Sequence, residues 1–94
     1  MINRFGDKIK TLREQQHLYL RQVGAYLEID TALLSKIEKG VRTLKKDHIP
    51  KLAEILNADT EELMTLYIAD QLDEIIKDEP LGKKAMNIII KTSK

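Results

Sequence analysis

The stretch from Leu18 to Gly40, LYLRQVGAYLEIDTALLSKIEKG, constrains this chain most. It reads as two short helices joined by a tight turn. Val23 and Leu27 give the first helix one apolar face, and Leu34 and Ile37 do the same for the second. Asp30 is a good N-cap for the second helix, because its carboxylate can accept from a free first-turn N–H. Gly40 supplies a left-handed stop. Gly24 falls where the two helices approach most closely, and a larger side chain there would wedge them apart. With Leu34 and Ile37 turned inward, Thr31, Ala32, Ser35 and Lys36 are rotated outward.

The flanks also read as helix, since no alternating apolar pattern occurs and Gly and Pro are few. A first helix is expected from about Asn3 to Gln16, with Phe5, Ile9 and Leu12 on one stripe. A fourth should begin near Lys46 or Asp47. Asp47 as N-cap would put Pro50 at the third helical position, where a missing N–H costs nothing. Ile49, Leu52, Ile55 and Leu56 form its apolar stripe, and Asn57 ends it. Asp59-Thr60-Glu61-Glu62 has the form of a capping box. It opens a fifth helix running to about Lys77. Asp78-Glu79-Pro80 breaks the chain, and Leu81 to Lys91 reads as a last helix.

At 94 residues this is one domain. There is no cysteine, which excludes disulfides and zinc–thiolate sites. His17 and His48 are the two histidines and stand at unrelated positions, so neither a metal centre nor any other cofactor is expected. No window approaches the ~20 apolar residues of a membrane span. The charged start, MINRFGDKIK, lacks the apolar core of a secretory signal, so a cytoplasmic protein is expected. No serine has a His/Asp partner at plausible spacing, and there is no Gly-rich phosphate loop. Asp70, Asp73 and Glu74 read as a solvated helix face. An enzyme is not expected.

Net charge is +1, which conceals a polarised chain. Residues 1–53 hold 11 Lys/Arg and 6 Asp/Glu, or +5. Residues 54–82 hold 1 Lys and 9 acids, or −8, and residues 83–94 hold 4 Lys and no acid. The basic front half suits phosphate. Aromatic residues make up 4%, too few for stacking on single strands. Outward-facing residues near the start of a braced helix are placed to reach base edges in the major groove.

From about Phe5 to Met64, roughly two thirds of its length, the chain resembles the Cro/phage-repressor (XRE-type) helix-turn-helix family. Leu12-Arg13-Glu14, the Leu18-to-Leu27 helix, LLSKIEKG (Leu33 to Gly40), LAEIL (Leu52 to Leu56) and ADTEEL (Ala58 to Leu63) carry the resemblance. It implies an all-α, five-helix repressor-like domain with an additional C-terminal helix. It also implies base contacts from Thr31, Ala32, Leu33, Ser35 and Lys36, with Leu33 against a thymine methyl. Phosphate contacts would come from Lys39, Arg42 and Lys45, and Arg13 and Glu38 would form a partly buried ion pair. The family's Ser/Thr cap and Gln at the start of helix two are replaced here by Tyr19 and Leu20. Arg21 can substitute for the Gln through its charge. Its glycines after helices one and two are replaced by His17 and Glu28, at ~1 kcal/mol each if left-handed.

Residues 1–64 are thus expected to bind double-stranded DNA and to regulate transcription. Residues 65–94 form a helical extension of the same compact unit. Leu66, Tyr67, Ile68, Leu72, Ile75 and Ile76 are too many apolar groups for a free helix. Ile88-Ile89-Ile90 faces more than one direction. These helices either cap the domain's own core or form a homodimer seam, and a dimer is favoured because two-fold symmetry strengthens operator reading. Three other readings stay open: an antitoxin whose C-terminal helices grip a protein partner, the controller of a restriction–modification operon, and an interaction module that does not bind DNA.

Overall fold

The computed structural model describes residues 2–93. It contains six α-helices: α1 (Arg4–Gln15), α2 (Leu20–Leu27), α3 (Thr31–Glu38), α4 (Ile49–Leu56), α5 (Thr60–Ile76) and α6 (Gly82–Thr92). No strand occurs among the described residues, so the expected all-α class holds.

The helices end where the sequence says they should, and α1 to α4 share one ending. His17, Glu28, Gly40 and Asn57 adopt φ of 56°, 59°, 79° and 53°. The amide of each donates to a carbonyl three residues earlier. The next residue, Leu18, Ile29, Val41 or Ala58, donates to a carbonyl five residues earlier at 2.8–3.1 Å. This paired closure satisfies carbonyls the helix leaves free. Leu18, Ile29 and Ala58 then pack on the core, whereas Val41 is exposed.

Two starts differ from expectation. A 3-10 turn, Lys46–His48, precedes α4, so its N-cap is His48 and Pro50 stands at the second helical position. The proline still loses nothing there, because first-turn amides have no helical acceptor. At α5 the capping box is only half formed. Asp59 accepts from the Glu61 amide at 3.2 Å, while Glu62 reaches Lys8 at 3.0 Å instead of turning back.

The core lies between α1, α2, α3, α4 and α5, with Ile9, Leu34, Ile49, Leu52, Leu56 and Leu63 at its centre. All six are essentially inaccessible to water. Burying each such side chain stabilises by ~1.5–3 kcal/mol. Tyr67 extends this core along α5 and packs edge-on against Phe5, ring centroids 5.4 Å apart. Further along, Ile68, Leu72 and Ile75 emerge on the surface. On α6 only Gly82 is buried and Met86 half-buried, so the domain's own core does not take up this helix.

Candidate nucleic-acid interface

The pairing of α2 with α3 begins at Gly24. A Cβ there would stand 3.0 Å from the Ile29 carbonyl and 3.5 Å from the Thr31 hydroxyl. Any side chain would push the turn outward and rotate α3. The turn itself is held by Asp30, which accepts from the Ala32 amide at 3.0 Å. Leu34 and Ile37 are buried on the inner side of α3. Thr31, Ala32 and Lys36 are exposed, and Ser35 is half-buried. Leu33 is also half-buried and packs partly on the core, leaving only part of its side chain outward. Residues 31 and 35, and 32 and 36, lie one turn apart and form adjacent rows on one face.

A second tight approach fixes the other end of α3. A Cβ on Gly6 of α1 would lie 2.5 Å from the Glu38 carbonyl, so α1 and α3 touch backbone to side-chain position. Asn3 caps this junction. It accepts from the Gly6 amide at 3.2 Å and donates to the Glu38 carbonyl at 2.8 Å. The Glu38 side chain, 6% exposed, meets Arg13 in a two-pronged pair at 2.8 and 3.1 Å. Arg13 also donates to the Leu18 carbonyl at 2.9 Å. Its hydrogen bonding to the Glu38 carboxylate is the main reason the Arg13 pKa is raised. No buried side-chain polar atom among the described residues lacks a partner. Removing either member would strand the other's charge.

Around this helix the exposed cations are Arg21, Lys39, Arg42 and Lys45, with Lys46 beside them. Arg21 lies over the Tyr19 ring, 4.5 Å from its centroid, which limits where the guanidinium can go. Gln22 accepts from the Tyr19 amide at 2.7 Å, so the start of α2 is capped although Tyr19 cannot do it. Tyr26 donates to Glu54, joining α2 to α4, and that bond is the main reason the phenol titrates above its ordinary range. The loop bearing Arg42 and Lys45 is anchored by Leu44, which is buried, and by the Tyr67 hydroxyl, which donates to the Leu44 carbonyl at 2.6 Å.

Of the three α5 carboxylates read from sequence as a solvated face, Glu74 is exposed as expected, whereas Asp70 and Asp73 are engaged with α1. Asp70 accepts from the Phe5 and Arg4 amides at 2.9 and 3.3 Å and from the Arg4 guanidinium at 3.0 Å. Asp73 holds the same guanidinium at 2.9 Å. A residue of α5 therefore supplies the acceptor that the first turn of α1 needs. Nothing in local sequence signals this, because the partners are 65 and 66 residues apart. Among the described residues no group of three or more His, Cys, Asp or Glu could hold a metal ion.

A family model described as helix-turn-helix matches residues 9–63, more than half of the chain. The chain belongs to the Cro/phage-repressor-like helix-turn-helix family. That family consists of non-enzymatic DNA-binding regulators. Two curated relatives come from Bacillus subtilis (strain 168). The HTH-type transcriptional repressor RghR is 38% identical over 72 residues, covering 76% of this chain and 52% of its own. The uncharacterized HTH-type transcriptional regulator RghRB is 41% identical over 61 residues, covering 64% of this chain and 44% of its own. The chain thus spans about half the length of the curated relatives it matches. No solved structure matches it significantly. Among the described residues, no helix is long and apolar enough to cross a membrane.

Proposed function

We propose that this chain is a sequence-specific DNA-binding regulator of transcription that acts as a homodimer in the cytoplasm. Helix α3 enters the major groove of double-stranded DNA, and α2 braces it across the backbone. The observation that carries this reading is the two-faced α3, anchored by Leu34 and Ile37 and offering Thr31, Ala32 and Lys36 to the outside. Ser35 and the outward part of Leu33 complete the base-reading face. Arg21, Lys39, Arg42 and Lys45 hold phosphates on either side.

Lys36 is the one long donor on that face. Thr31 and Ser35 offer single hydroxyls, and Ala32 and Leu33 offer only apolar contact with thymine methyls. Sequence preference therefore leans on methyl contacts and on DNA shape as well as on Lys36. The name of RghR, a transcriptional repressor, favours repression over activation. Residues 65–94 serve as the dimerising extension, which is where most of the exposed aliphatics lie.

Selection of bound sequences from a random duplex pool tests the proposal. The expected result is one enriched motif with two-fold symmetry. Recovery of no enriched motif would reject it. The exposed aliphatics of α6 also fit an antitoxin gripping a protein partner. Co-purification of that partner, encoded next door, would favour the antitoxin.

A further inference from the structure

A groove of about 740 Å³ runs between the N-terminal end of α1, the loop after α3 and the outer side of α5. Phe5, Leu44 and Tyr67 form its floor. Ile2, Val41 and Ile75 stand on its rim with 60–70% of each exposed, and Asp70 and Glu74 line it on the α5 side. No residue of α6 lines it. Val41 is conspicuous, because it is the only one of the four helix-closing apolar residues left without a packing partner in the core.

Helix α6 has the complementary properties. It carries Lys83, Lys84 and Lys91 and no acid, whereas α5 carries Glu61, Glu62, Asp70, Asp73 and Glu74 and no base. Ile88, Ile89 and Ile90 are 58–67% exposed and point in more than one direction, so a flat surface cannot cover them but a groove can. Gly82 is seated so tightly on Ile76, 2.7 Å from where a Cβ would be, that the elbow between α5 and α6 is sterically defined. Clustered exposed aliphatics such as those of α6 mark an association site.

We propose that α6 of a second copy fills this groove, and that two chains exchange α6 reciprocally. The proposal rests on the homodimer reading above and names the surfaces that make it. Each exchange matches aliphatics with the rim of Ile2, Val41 and Ile75 and lysines with Glu74, the groove carboxylate that stays largely exposed, Asp70 being already held by Arg4. It also places the partner's helix against the loop that carries Arg42, so dimerisation steadies the loop proposed to hold phosphate.

The test uses the full chain without DNA, and the absence of native cysteine makes it clean. Val41→Cys and Ile89→Cys chains, differently tagged, are mixed and treated with a short bismaleimide. The expected product is the heterologous pair. Sedimentation should show a dimer whose dissociation constant rises at least tenfold in Ile89→Glu, with unchanged helicity, since Ile89 is exposed within one chain. A predominance of Ile89→Cys self-pairs, absence of any product, or a monomer-sized cross-link in a chain carrying both Val41→Cys and Ile89→Cys would overturn the exchange. These readouts do not depend on DNA. A chain that cross-links as expected but selects no duplex motif rejects the DNA reading alone, and a monomer that selects one rejects the exchange alone.

Discussion

The Tyr67 hydroxyl donates to the Leu44 carbonyl at 2.6 Å, from α5 to the loop that follows α3. One hydrogen bond therefore ties the basic loop to the longest helix of the core. Tyr67→Phe keeps the packing against Phe5 but leaves the buried carbonyl without its donor. The expected loss is ~1–3 kcal/mol. At ~4–8 °C per kcal/mol for a domain of this size, thermal unfolding followed by circular dichroism reads it easily. An unchanged midpoint would show that water replaces the hydroxyl at no cost.

Arg42 stands on that loop with no protein partner among the described ion pairs. Arg42→Ala should weaken binding to every duplex by a similar factor. It should also flatten the plot of log affinity against log salt by about one unit. A loss confined to one sequence would instead make Arg42 a base reader.

Asp70 acts on α1 as an N-cap borrowed from α5. Asp70→Ala should destabilise by ~1–2 kcal/mol, the range for losing a helix cap. Hydrogen exchange should speed up first at the amides of Arg4 and Phe5. Uniform exchange throughout the chain would mean that the first turn does not depend on this carboxylate.

Glu28 holds a left-handed conformation at the turn between α2 and α3, with φ of 59°. Glycine adopts this conformation without the steric penalty, so Glu28→Gly should raise stability by ~0.5–1 kcal/mol. Chemical denaturation would show the midpoint moving up with an unchanged slope. A fall in stability would indicate that the Glu28 side chain contributes more than its backbone costs.

Local pattern made much of this molecule legible. Leu34 and Ile37 three residues apart, Asp30 before them and Gly40 after them define α3, and each acts through neighbours within one turn. The left-handed turns at His17 and Glu28 were indicated not by local pattern but by the family resemblance, which puts glycines at those positions. The long-range contacts were not. Gly6 looks like an ordinary helical residue until the Glu38 carbonyl is placed 2.5 Å from its missing Cβ. Asp70 and Asp73 share a helical face with many other acids, and only the folded position of Arg4 turns them into a clamp. The half-formed capping box has the same origin, because Glu62 finds Lys8 across the fold. Helix α6 shows the opposite problem. Its aliphatics announce burial, but one chain does not provide the surface that buries them.

Whether α3 reads bases through Lys36 is decided by one titration. Wild type and Lys36→Ala are titrated onto the selected duplex and onto a scrambled one at the same salt concentration. The predicted result is a loss of ~1–3 kcal/mol on the selected duplex and no change on the scrambled one. Equal losses on both would make Lys36 a phosphate contact and contradict the assignment of this face to base recognition.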